Sequence, residues 1–188
     1  MIITPRPRQL IMPKGRKLFH SAKTTGIIIA ELWRNGMMLQ HSESHNGIVD
    51  EGENYLLNVA FGGAAAQAQA SPWYIGIVDN AAFSAFADAD IMSAHAGWAE
   101  WQDYTAAARI EWVDESSTAK SKSNSVTTDD FTVGAAGEGD ALKGIFVTSN
   151  STKGGTTGFL WSTGAFSAVL NVQQDDVIKV TYTITVTD

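Results

Sequence analysis

The chain has 188 residues, no Cys and a formal net charge of −7. Without thiols it has neither a disulfide framework nor a thiolate metal site, and no apolar run reaches the ~18–20 residues needed to cross a bilayer. The charge is unevenly spread, with seven Lys/Arg against one Glu in residues 1–34 and six against nineteen Asp/Glu in residues 35–188. A hydrophobic content of 44% suits a globular chain with one sizeable core. The acidic body has the wrong sign for gripping nucleic acid or an anionic membrane, and neither is expected as a partner.

Residues 1–45 read as an extended basic N-terminal arm. Pro5, Pro7 and Pro13 fix φ and remove backbone donors, which disfavours helix over residues 2–13. Arg6, Arg8, Arg16 and Lys17 are interleaved with Ile11, Leu18 and Phe19. Such a mixture needs a surface on which to bury its apolar groups. The stretch 26–33 fits either a strand or a short buried helix, because periodicity does not separate the two at this length.

A helix is expected over about 47–61. Ile48, Tyr55 and Val59 lie on one stripe and Val49, Leu56 and Ala60 on the next, a 3.6-residue period. Asn46 is the candidate N-cap, Asp50, Glu51 and Glu53 suit the positive end of the helix dipole, and Gly62-Gly63 supplies the stop.

From Trp73 onward the pattern is β. Residues 73–78 are apolar on both faces, as in a central strand. Residues 88–97 read as a loop with a short helical turn, 104–113 as a strand and 114–125 as an exposed loop. Further strands are expected near 126–133, 143–149, 157–162 and 165–172. The last strand is the clearest, with Ile178, Val180, Tyr182, Ile184 and Val186 alternating with Lys179 and four Thr. Short strands separated by Gly, Ser and Asp turns imply an antiparallel β-sandwich or jelly-roll body over 46–188, with one helix added.

Signals for chemistry are weak. His41 and His45 flank Glu43, but the spacing is not His-Glu-x-x-His and no third ligand is evident, so no metal is expected. His95 follows Asp88 and Asp90 without a nucleophile elbow, and the simpler reading packs it beside Trp98. Asp114-Glu115, Asp129-Asp130 and Asp175-Asp176 read as solvated turns rather than catalytic pairs. The Gly-rich run from Lys153 to Gly158 has its Lys ahead of the glycines, unlike a phosphate-binding loop, and reads as a hairpin turn. Six Trp is high for this length. Trp98 and Trp101, on an irregular segment, are candidate interface or glycan-stacking aromatics, with a place in the core or an interface preferred to a sugar-stacking one. The expectation is a protein with no catalytic residues and no cofactor.

Several stretches together resemble small virion proteins of tailed bacteriophages: residues 51–58, 73–79, 95–98 with 104–112, 151–158 and the terminal strand 176–186. The likeness lies in overall pattern and covers most of 46–188. It resembles capsid cement or decoration proteins, which implies a non-catalytic structural protein assembled in the host cytoplasm and placed on the capsid surface. The implied partners are a major capsid protein and further copies of the chain, as a dimer or trimer. Arg6, Arg8, Ile11, Arg16, Lys17, Leu18 and Phe19 would then form the capsid-binding arm. The alternative is a tail or fibre component whose sandwich binds carbohydrate.

Overall fold

The computed structural model describes residues 23–62, 67–125 and 128–187. Ten strands and one helix follow in order: β1 (Lys23–Arg34), β2 (Met37–Ile48), α1 (Asp50–Phe61), β3 (Tyr74–Asp79), β4 (Glu100–Trp101), β5 (Ile110–Glu111), β6 (Ser121–Ser123), β7 (Asp129–Thr132), β8 (Ala141–Thr148), β9 (Leu160–Asn171) and β10 (Val177–Thr187). All pairings are antiparallel. The ladder runs β4-β3-β8-β9-β2-β1-β10-β6, with β5 beside β3 and β7 beside β10. The fold is mainly β with one helix, in the antiparallel sandwich class expected from the sequence.

The two halves of this ladder share one core. Ile28, Ala30 and Leu32 of β1 and Ile178, Val180 and Tyr182 of β10 come from one half. Ile75 and Ile77 of β3, Ile145 and Val147 of β8 and Trp161 of β9 come from the other. Alternation along β10 places Ile178, Val180 and Tyr182 in the core at 0% exposure, while its Thr side chains line the outer face.

The halves meet where β2 changes sheets. Its pairing with β1 ends at Gly26↔Asn46, and its next two residues pair with β9 as Gly47↔Thr163 and Ile48↔Ser162. Side chains are small at this crossing for a steric reason. A Cβ on Gly26 would overlap the Asn46 amide, and one on Gly164 would overlap Ile28 and Asn46. The Tyr182 hydroxyl fills the space that remains. It accepts from Asn46 Nδ2 at 3.1 Å and Trp161 Nε1 at 3.2 Å, and shares a 3.0 Å hydroxyl bond with Ser162 Oγ. One oxygen on β10 therefore ties β2 and β9 together.

The hairpin end of β1 is tied in a second way. Arg34 donates Nε to Asp176 Oδ1 at 2.7 Å and Nη2 to Oδ2 at 2.8 Å, and the fully buried Asp176 also accepts the Gln173 N–H. Burial pushes this carboxyl up, but the bonds from Arg34 and Gln173 outweigh it and hold its pKa below the ordinary carboxylate value.

Several expectations change. The arm was expected to run to residue 45, yet residues 23–45 form most of the β1–β2 hairpin inside the sheet. Their mixed polarity is the alternation of strands with one core face, not the signature of an arm. The helix begins at Asp50 rather than near 47, because Asn46 is spent on Tyr182 and Val49 occupies the N-cap position without a side-chain cap bond. Gly62, at φ 59°, ends it as expected. Residues 88–97 form turns without a helix, closed by Ala87 N donating to Asp90 Oδ2. The 104–113 strand shrinks to Ile110–Glu111, and the 114–125 loop contains β6. The two strands expected over 157–162 and 165–172 are one strand with a bulged stretch. There Ser42 Oγ accepts the Ser167 N–H at 2.8 Å, and Gln40 Nε2 donates to the Val169 carbonyl at 3.1 Å. The Asp175-Asp176 turn is present, but Asp176 is buried because it carries the ion pair.

Replacing Tyr182 with Phe strands the buried Trp161 and Ser162 donors while keeping the ring. The expected loss is about 1–3 kcal/mol in urea unfolding, the range for leaving a buried polar group unpaired. A midpoint indistinguishable from wild type would contradict the role given to this hydroxyl.

Candidate binding surface

The Gly-rich loop between β8 and β9 folds around a buried cation. The Arg109 guanidinium meets Glu100 in a two-bond pair at 2.9 and 2.8 Å and donates to the carbonyls of Asn150 and Gly155. It also lies 5.0 Å from the centre of the Phe146 ring. Glu100 takes a third bond from the Gly154 N–H at 2.6 Å. Lys153 donates to the carbonyls of Gln102 and Tyr104 and sits 3.5 Å from the centre of the Tyr104 ring. Four bonds donated by the Arg109 guanidinium end on protein oxygens. The loop is clamped, as a turn between strands requires, and its charges are spent within it.

His95 stacks on Trp98 at 3.8 Å, with Nδ1 at 3.2 Å from the Trp98 carbonyl oxygen. Asp90 accepts from Trp98 Nε1 at 2.9 Å, so its carboxylate braces the indole rather than orienting the imidazole. His41 and His45 stand exposed on β2, where His41 lies 3.7 Å from Glu31. Among the described residues, no group of three or more His, Asp or Glu side chains converges to hold a metal.

Two expectations about aromatics are corrected. Trp98 and Trp101 are each only 3% exposed. Trp98 packs on Phe146 at 4.9 Å, and Trp101 donates Nε1 to Asp140 at 2.7 Å. Both rings are covered on their faces and cannot offer a platform to a sugar. The other candidates, Arg6, Arg8, Ile11, Arg16, Lys17, Leu18 and Phe19, lie outside the described residues.

The best-formed concave surface lies around α1. Gly52 sets the helix directly on β9, where any Cβ would overlap the Trp161 carbonyl oxygen. Glu51 fastens that first turn by accepting the N–H groups of Met92 at 3.0 Å and Leu160 at 2.7 Å. One turn on, Tyr55 packs edge-on against Trp73 at 5.3 Å and against Phe159 at 5.0 Å. The rest of the helix is lifted away from the body, leaving Leu56, Leu57 and Phe61 at 41, 54 and 82% exposure.

Two cavities flank Leu56. The first, of about 400 Å³, is walled by Tyr55, Val59, Trp73, Trp112 and Trp161, with Glu111, Asp114 and Lys122 at its rim. The second, of about 630 Å³, lies between α1 and the start of β1 and is lined by Ile48, Leu56, Leu57 and Trp161 together with the polar residues 23–25, His45, Asn46 and Glu53. Both fall within the ~300–1,000 Å³ range of ligand clefts. β2 leaves β1 at Asn46, while β1 continues back to Lys23 and, among the described residues, pairs there with β10 alone. Sequence reasoning assigned Leu56 and Val59 to ordinary core stripes. The available clue was that Leu56, Leu57 and Phe61 occupy more of the helix than one sheet can cover.

Comparison with family models, curated proteins and solved structures found no match for the chain.

Of the carboxylate pairs, Asp114-Glu115 is surface-engaged, with Asp114 paired to Lys122. Asp129 is not a solvated turn residue. It is 3% exposed, and its Oδ2 has no hydrogen-bond partner. Burial pushes its pKa up to about 7, with Asp130 and Glu111 adding in the same direction and a bond with Asn124 opposing. The folded state therefore binds this proton more tightly than the unfolded chain. Stability should be greatest below the unfolded value and fall as pH rises through about 7. The full shift corresponds to on the order of 4 kcal/mol. Urea titrations at pH 5 and pH 8 should show wild type weaker at pH 8, with Asp129→Asn removing most of that difference. An equal pH slope in the two proteins would contradict the assignment.

Proposed function

We propose that the chain is a non-catalytic structural protein of a tailed-phage virion, a cement or decoration protein that binds a capsid through its N-terminal segment and its β body. Its partners in this reading are a major capsid protein and further copies of itself. The carrying observation is that a well-tied sandwich presents large apolar side chains away from its core. The β1–β2 hairpin turns at Asn35-Gly36, both with positive φ, and exposes Met37, Met38 and Leu39 at 64, 48 and 50%. At α1, Leu57 and Phe61 are exposed as well. Grouped apolar side chains at a surface suit a protein partner.

The side chains that invited a catalytic reading are engaged elsewhere: His95 on Trp98 and Asp90 on the same indole. The carbohydrate-binding alternative rested on Trp98 and Trp101, both buried, and no other observation favours it. A body tied by buried ion pairs and hydroxyl bonds suits a load-bearing role. Arg6, Arg8, Arg16 and Lys17 add positive charge for acidic groups on a shell, and repetition over a lattice multiplies a modest single-site affinity.

The test uses particles of the encoding phage that lack this protein. Wild-type chain should co-sediment with them, and deletion of residues 2–17 should abolish binding while circular dichroism of the body stays unchanged. Undiminished occupancy by the deletion variant would overturn the arm's role, and no binding by wild type would overturn the capsid assignment.

A further inference from the structure

We infer that the cavity walled by Tyr55, Trp73, Trp112 and Trp161 is a binding site for a small free organic cation with a compact alkylammonium head. The inference goes beyond the capsid reading and does not depend on it.

The walls make the first case. Four aromatic side chains line one cavity of about 400 Å³, and Val147 and Ile184 add to its apolar lining. Trp73 stands between Tyr55 and Trp161, with ring centres 5.3 and 6.1 Å away and ring planes inclined by 84° and 62°. Rings inclined this steeply form a corner, not the flat platform on which a sugar stacks. A corner suits a compact, rounded group, and the negative faces of aromatic rings attract a positive one.

Three of the four rings have their polar atom engaged. Trp112 Nε1 donates to the Tyr182 carbonyl at 3.3 Å and Trp161 Nε1 to the Tyr182 hydroxyl at 3.2 Å, and Tyr182 does not line the cavity. The Tyr55 hydroxyl accepts the Ala70 N–H and donates to the Ala68 carbonyl at 3.5 Å. These bonds hold the rings in place before a ligand arrives, and they leave the rings to act on it through their π systems.

The mouth supplies the charge. β5 pairs with β3 at Tyr74↔Glu111, and the Trp112 N–H donates to the Trp73 carbonyl at 2.8 Å, which sets Glu111 among the residues at the rim. Asp114 is paired with Lys122 at the same rim. Glu111 is exposed, and no ion pair engages it among the described residues. The rim therefore carries one uncompensated negative charge. That charge complements a cation held over apolar walls, and it disfavours the phosphate that accompanies a choline head in a lipid.

Choline is the probe, and its neutral analogue, in which carbon replaces the nitrogen, controls for shape and apolar burial. Isothermal titration of the full chain at neutral pH should show saturable choline binding, about tenfold or more tighter than binding of the analogue. In NMR spectra, choline should shift the indole N–H signals of Trp73, Trp112 and Trp161 and leave those of Trp98 and Trp101 in place. Glu111→Gln, a substitution at an exposed side chain, should weaken choline binding by about twofold to fivefold and leave the analogue unaffected. Equal affinity for the two probes would overturn the cation assignment. Shifts at Trp98 or Trp101 in place of the cavity's indoles would overturn the site, and an absence of saturable choline binding would overturn both. Unchanged choline affinity in Glu111→Gln would overturn the role given to the rim. Co-sedimentation with phosphatidylcholine vesicles, which should not occur, would overturn the free ligand in favour of a lipid head. None of these readouts involves a particle, so failure here is distinguishable from failure of the capsid reading.

Discussion

The Tyr182 hydroxyl is the point on which the two sheets depend. A long strand that leaves one sheet for another must surrender its ladder at the crossing, and the polar groups exposed there must find partners inside the core. Asn46 stands at that break, and Trp161 and Ser162 stand on the strand that β2 joins. One oxygen serves all three. The surroundings follow from the same crowding: glycine at 26 and 164, where a methyl group has no room, and glycine at 52, where α1 rests on the backbone of Trp161. The crossing therefore fixes the angle between the sheets and the seat of the helix.

Much of this was legible in the sequence. The alternation from Ile178 to Val186 declared a half-buried strand, and that strand is the centre of one sheet. The run 73–78 was apolar on both faces and is a central strand of the other. The helix and its Gly62 stop were also visible. What could not be read was where local signals lose to long-range demands. Asn46 has the chemistry of an N-cap, but a hydroxyl 136 residues away claims its amide. Residues 23–45 group with the basic, Pro-containing stretch before them, and only the pairing of β1 with β10 and β2 makes them two strands. Asp176 and Asp129 look like turn residues, and their burial depends on partners and neighbours far along the chain. Trp98 sits in an irregular segment, a usual place for exposed function, and Trp101 in a two-residue strand beside it, yet both rings are covered by the body.

The functional reading rests on where side chains spend their chemistry. Arg109, Glu100, Lys153, Asp90 and Glu51 all hold loops or the helix in place. Apolar side chains, by contrast, are left outside the core at the β1–β2 turn and along α1. Tied polar groups with free apolar ones suit the attachment role we propose. The uneven charge complements this, because a positive segment precedes a negative body in the sequence.

The central structural claim is that one crossing couples both sheets and the helix. Hydrogen exchange comparing wild type with Tyr182→Phe tests it directly. The account predicts faster exchange together in residues 23–28, 46–55 and 160–164, with the turn end of the β1–β2 hairpin, residues 32–40, little changed. Faster exchange confined to β10, or spread evenly over every strand, would contradict it.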